Sequence, residues 1–163
     1  MTTLGEVVET QAGKVTLVDI PPVRSFLAEL ESQRQKAKAA RQRLVLFTVT
    51  ESCRPCLSVA AVMLDPKMQT ALADVRLVRV DIREAENELE DLGVQTNQIP
   101  GFYLLGPTLH ATDGVTGAEW DDDTAENAAP VLGAFVRGTY KLRKQPFSPS
   151  TSRGTPRPAP TML

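Results

Sequence analysis

The chain has 163 residues with 18 basic and 20 acidic side chains, one histidine and a formal net charge of -2. That near-balance leaves no electrostatic case for nucleic acid as a partner. No run of eighteen apolar residues occurs, so no membrane insertion is expected, and the length suits one domain that buries its core without disulfide or metal staples. The two cysteines are therefore free for chemistry. Met1-Thr2-Thr3-Leu4-Gly5-Glu6 offers neither a basic stretch nor an apolar leader core. A cytoplasmic home is expected, or a periplasmic one if a leader or membrane segment has been removed.

Residues 1–13 read as an N-terminal extension. Lys14 to Ile20 alternates apolar and polar residues as a short strand does, and Pro21-Pro22 suits the start of a helix. Val23, Phe26, Leu27, Leu30, Ala37 and Ala40 recur at helical spacing with charged residues between them, which predicts an amphipathic helix of about five turns. Its basic half, Arg34 to Arg43, reads as a solvated face.

Leu44 to Val49 is apolar without alternation, the pattern of a strand buried on both faces. Cys53-Arg54-Pro55-Cys56 follows it and opens a helical run that Asp65-Pro66 interrupts. Val75 to Ile82 predicts a strand, Glu84 to Leu92 an acidic helix, Phe102 to Leu105 a strand, and Leu109 to Thr112 its hairpin partner. Thr124 can cap a last helix lined by Ala125, Ala128, Leu132, Val136 and Tyr140. From Gln145 the composition turns to Pro, Ser, Thr and Arg, which predicts a disordered tail over 145–163.

The cysteines carry the chemistry. A helix N-terminus presents unpaired N–H groups and the positive end of the dipole, so a thiol placed there is stabilised as thiolate. Two cysteines three apart on one turn can bond to each other without large backbone movement. Zinc is the competing use of such a pair, but a monomeric site needs more soft ligands than the one histidine, His110, supplies. A zinc site shared across a dimer would escape that objection. No metal and no cofactor is expected, and the protein is expected to be a monomer.

The order of elements, the Cys-x-x-Cys after a buried strand and Ile99-Pro100 ahead of the last two strands resemble the thioredoxin-like superfamily over about residues 14–144. Within it, Leu64 to Asp74 followed by Leu77-Val78-Arg79-Val80-Asp81 is similar to the C-terminal thioredoxin-like domain of bacterial transmembrane thiol:disulfide reductant carriers. The resemblance implies an α/β thioredoxin fold with a central mixed sheet of four to five strands flanked by helices. It implies a protein thiol-disulfide oxidoreductase with Cys53 and Cys56 as the catalytic pair. Arg54, Pro55, Ile99 and a cis Pro100 would meet the substrate. The implied partners are protein disulfides or thiols and a separate reductase or oxidase that resets the pair. A redox-inactive adaptor or holdase, binding peptides along the cis-proline surface, is the alternative.

The chain departs from the family at four places. Ser52 stands where Trp is usual, Arg54 where Gly is usual, Gly101 where Thr is common, and Phe47 where thioredoxins bury an aspartate that accepts the second cysteine's proton. With Phe47 unable to do so, Glu51 and Asp81 become the candidate proton acceptors. Asp121-Asp122-Asp123 reads as dipole complementation ahead of a helix rather than as a glutathione site.

Overall fold

The computed structural model describes residues 4–148. Six strands form one sheet in the order β1-β2-β4-β3-β5-β6. They are β1 (Val8–Ala12), β2 (Val15–Ile20), β3 (Arg43–Val49), β4 (Val75–Asp81), β5 (Gly101–Leu105) and β6 (Ala111–Thr116). β4 runs parallel to β2 and β3, whereas β5 is antiparallel to β3 and to β6, and β1 is antiparallel to β2. The helices are α1 (Phe26–Ala39), α2 (Arg54–Ala61), α3 (Pro66–Ala71), α4 (Glu86–Asp91) and α5 (Ala125–Val136). This mixed sheet between two helical layers is the thioredoxin fold.

Period-two alternation divides the sheet's side chains between two cores. Leu44 and Leu46 of β3 join Val18, Val78 and Val80 beneath Phe26 and Leu30 of α1 and Leu89 of α4. Val45 and Phe47 turn to the opposite face, with Val59 of α2, Met68 of α3 and Leu132, Phe135 and Val136 of α5. β3 lies between β4 and β5 and is covered on both faces, which is why its sequence shows no alternation.

Several boundaries differ from the sequence reading. The sheet has six strands rather than four to five, because β1 arises within the segment expected as an extension. Its Val-Glu-Thr-Gln-Ala sequence is almost wholly exposed and carries no apolar stripe, so periodicity could not reveal it. A two-residue turn at Gly13 and Lys14 makes the hairpin, with Gly13 at φ 61°. α1 begins only at Phe26, where the Ser25 hydroxyl accepts from Ala28 N, and so runs 14 residues rather than five turns. β6 starts two residues after Leu109, which sits in the loop at φ 70°. α5 ends at Val136, and Gly138 at φ 76° turns the chain away before Tyr140. Thr124 caps that helix as its sequence suggests, accepting from Asn127 N at 3.3 Å.

Two buried polar clusters join the outer segments to this framework. Arg76 of β4, only 4% exposed, donates to Gln33 of α1 at 2.7 Å and to Gln42 at 3.3 Å, and it pairs with Glu9 of β1. Glu119, also 4% exposed, accepts from the Tyr140 hydroxyl and from the backbone N–H groups of Lys144 and Gln145. Arg143 adds a bidentate pair to Asp113 of β6, and Phe147 meets the Tyr103 ring edge-on. Gln145 and Phe147, at the start of the expected tail, thus contact the domain; residues 149–163 of that prediction lie outside the described residues.

Replacing Arg76 with Met should leave the fully buried Gln33 amide oxygen without its donor, at a cost of about 1–3 kcal/mol. Chemical denaturation of Arg76→Met and of the double variant with Gln33→Leu checks this: the double should recover most of the loss, and an undiminished loss would refute the account. Burial pushes the Glu119 carboxyl up, but the Lys144 and Gln145 amides, the Tyr140 hydroxyl and the Arg143 charge outweigh it and hold the group below its ordinary value. A depressed folded-state pKa contributes stability that is present above the unfolded value and is lost as pH falls through the folded one. Amide exchange at Lys144 and Gln145 should therefore lose protection on acidification below the ordinary carboxylate range, and Glu119→Gln should abolish that pH dependence.

Candidate redox site

β3 ends at Val49, and four residues later Cys53 stands at the N-cap of α2 in extended conformation (φ -81°, ψ 108°). Arg54 and Pro55 fill the first turn, where proline's missing N–H is not needed. The Cys53 Sγ accepts from Cys56 N at 3.1 Å, so the sulfur sits against the helix N-terminus. Cys53 and Cys56 are joined in a disulfide with Cα atoms 5.2 Å apart. Cys53 is half-buried, whereas Cys56, one turn inside the helix, is 1% exposed. Among the described residues no group of three or more His, Cys, Asp or Glu is placed to hold a metal, and His110 is exposed beside Thr108.

α2 stops after two turns, and Asp65 starts α3 by accepting from Lys67 N at 2.8 Å with Pro66 in the first turn. The Asp-Pro signal therefore divides one helical run into two. Val59 remains buried on the α2 face that meets β3, and Leu57 is left exposed next to the cysteines.

The Ile99–Pro100 peptide is cis. Pro55, Ile99 and Pro100 line one cavity of about 410 Å³ together with Gln98, Asp121 and Gln145. Arg54 is exposed and does not line it. Gly117 supports the cis-proline from behind, donating its N–H to the Pro100 carbonyl at 3.0 Å. The departure at Gly101 has a packing cause: a Cβ there would stand 2.7 Å from the Thr48 hydroxyl and from the Tyr103 ring. Thr124, not the three aspartates, caps α5; Asp123 accepts from the Trp120 indole and Asp121 pairs with Lys144.

Phe47 is buried beneath α2 and stacks on Phe102 of β5, with ring centroids 4.5 Å apart and planes 8° from parallel. An apolar stack thus occupies this part of the sheet. Glu51, Cys56 and Asp81 all line a cavity of about 400 Å³. Arg83 joins the two acids, at 2.7 Å from Asp81 and 3.6 Å from Glu51. Its hydrogen bonds hold the Asp81 carboxyl below its ordinary value. The same cavity is walled by Asp19 and Arg79, which pair at 2.5 Å and which sequence reasoning missed. Nothing in a single sequence reports that β2 and β4 are neighbours, so no local signal could have found them.

No family model matches the chain, and no curated protein matches it. Among solved structures it is similar to oxidized thioredoxin O2 from Arabidopsis thaliana, at 20% identity, covering 80% of this chain and 98% of that one, with a TM-score of 0.49. It is similar to Plasmodium falciparum thioredoxin at 17% identity, covering 86% of this chain and 99% of that one, with a TM-score of 0.49. It is also similar to thioredoxin f2, solved with ferredoxin:thioredoxin reductase, at 21% identity, covering 79% and 98%, with a TM-score of 0.48.

The difference in exposure between the sulfurs gives a direct test. In the reduced protein, iodoacetamide at mildly acidic pH should modify Cys53 well before Cys56, because Cys53 is both more accessible and at the helix terminus. Peptide mapping by mass spectrometry measures the order; faster modification of Cys56 would reverse the roles assigned to the two thiols.

Proposed function

We propose that the protein is a thiol-disulfide oxidoreductase acting on protein disulfides. The observation that carries this reading is the Cys53–Cys56 disulfide itself, set at the N-terminus of α2 with one sulfur half-exposed and the other buried. When reduced, Cys53 attacks a substrate disulfide as thiolate, favoured by the helix terminus and by the Cys56 N–H that its sulfur already accepts. One substrate sulfur leaves, and a mixed disulfide remains on Cys53. Cys56 then attacks Cys53 Sγ, the second substrate sulfur leaves, and the closed pair is restored.

Pro55, Ile99 and Pro100 support peptide docking at the adjoining cavity, with extended backbone lying against the residue ahead of the proline. Arg54 would act by charge: an exposed guanidinium next to the sulfurs favours thiolate and hence the reduced form. The electrons come from the dithiol, so a separate reductase or oxidase resets the pair in each cycle.

The exposed docking cavity also suits an adaptor that holds peptides without redox turnover. Insulin reduction with dithiothreitol as the recycling reductant distinguishes the two readings. Turnover by wild type that Cys53→Ser abolishes is expected; an equal background rate in both proteins would leave the adaptor reading standing.

A further inference from the structure

Cys56 is 1% exposed, yet it lines the cavity of about 400 Å³ whose walls also carry Glu6, Asp19, Glu51, Arg79 and Asp81. Burial disfavours a thiolate, so the resolving sulfur needs a group that takes its proton. Four carboxylates from four segments face this space, and their surroundings differ. Both oxygens of Asp81 are occupied, Oδ1 accepting from Arg83 N and Nε and Oδ2 from Arg83 Nη2. Glu51 is 83% exposed and turned to the same arginine. Glu6 is exposed on the segment ahead of β1.

Asp19 is different. Its Oδ1 accepts from Arg79 Nε at 2.5 Å, and among the described residues its Oδ2 has no hydrogen-bond partner. The sheet register places Asp19 beside Arg79 and Arg79 beside Phe47, so the pair extends the Phe47 row beneath α2. The same two residues wall a second cavity, of about 240 Å³, with Phe47, Ala60 and Met63. The pair thus stands where both spaces meet under the helix that carries Cys56. Water in the liquid occupies about 30 Å³, and the larger cavity, although mostly apolar in its walls, is bordered by four carboxylates and Arg79 as polar partners, so it has room for a short bridging chain of waters.

We infer that Asp19, anchored by Arg79, accepts the Cys56 proton through water in this cavity when a mixed disulfide is resolved. The inference rests on the oxidoreductase reading above. The Cys56 S–H proton passes through water to the free Asp19 oxygen, and the thiolate so formed attacks Cys53 Sγ. The Cys53–Cys56 bond forms as the Cys53–substrate bond breaks, and the substrate sulfur leaves with the electron pair and takes a proton from solvent. The protein pair is oxidised by two electrons and the substrate is reduced by two. Asp19, whose side chain is 48% exposed, returns its proton to bulk water. Arg79 is a positioning residue: it fixes one carboxylate oxygen and leaves the other open.

The test is single-turnover release of the second substrate thiol, the one that leaves when Cys56 closes the pair, read by stopped flow as the phase that follows mixed-disulfide formation after reduced full-length protein is mixed with a saturating disulfide peptide. At neutral pH, Asp19→Asn should slow release about a hundredfold, the lower end of the range of general-base help. Its rate should then climb with pH as hydroxide replaces the carboxylate, whereas wild type stays flat; Asp19→Glu should restore both rate and profile. Glu51→Gln and Asp81→Asn should keep the wild-type profile. If the asparagine variant does not fold, Asp19→Ser removes the same carboxylate at this half-exposed position. A wild type that releases no thiol overturns the oxidoreductase reading and this inference with it. A wild type that turns over while folded Asp19→Asn matches its rate and profile overturns the inference alone, as does a wild-type-like Asp19→Asn beside a slowed Glu51→Gln or Asp81→Asn.

Discussion

Everything at the redox site depends on the burial of β3 from both sides. Leu44, Leu46, Val45 and Phe47 give the strand two apolar faces, and neither can remain in water without losing the main favourable term of folding. Two helical layers are therefore required, and β4 and β5 must flank the strand to satisfy its backbone. Once these partners are in place, the chain can leave the core only at Val49. The next helix must begin at that edge, with its free N–H groups directed at Cys53. The electrostatic position of the thiol thus follows from packing beneath it.

The polar groups of the core decide how far the domain extends. Arg76 is buried at the α1 face, and its hydrogen bonds reach Gln33, Gln42 and, across the sheet edge, Glu9. That last pairing gives the exposed strand β1 a specific reason to add to β2. Glu119 does the equivalent at the other end, where one carboxylate satisfies two backbone N–H groups and a tyrosine hydroxyl. Because burying such groups unpaired would be costly, the segments that satisfy them are held to the fold although they contribute little apolar area. Gln145, held in this way, becomes a wall of the cis-proline cavity, so stability and the shape of the docking surface share the same contacts.

The site differs in character on its two sides. Toward β5 and β6 the sheet beneath α2 is an aromatic stack of Phe47 and Phe102 with Trp120 tilted against it. Toward β2 it opens into two cavities bordered by the Asp19–Arg79 pair. Charge in this site is consequently displaced one and two strands from Phe47, to the half-exposed side. A carboxylate there keeps part of its hydration and escapes the full desolvation cost that a charge at the Phe47 position would meet.

What the sequence determined by itself is whatever local chemistry enforces. The apolar run of β3, the Cys53-x-x-Cys56 pair at a helix start, the division of that helix at Asp65-Pro66, the Thr124 cap and the proline at Ile99-Pro100 each depend on a few adjacent residues, and each is legible in them. Only the tertiary structure decided the rest. β1 has no apolar stripe and becomes a strand through pairing with β2 and the reach of Glu9 to Arg76. Residues 145–148 look like the start of a tail, yet Gln145 is held because Glu119 lies buried within its reach. Asp19 and Arg79 are sixty residues apart in the chain and lie side by side only because β2 and β4 pair in one register. Periodicity records which face a residue occupies, but it holds no information about which strand lies next to it, and the surroundings of Cys56 are made of such neighbours.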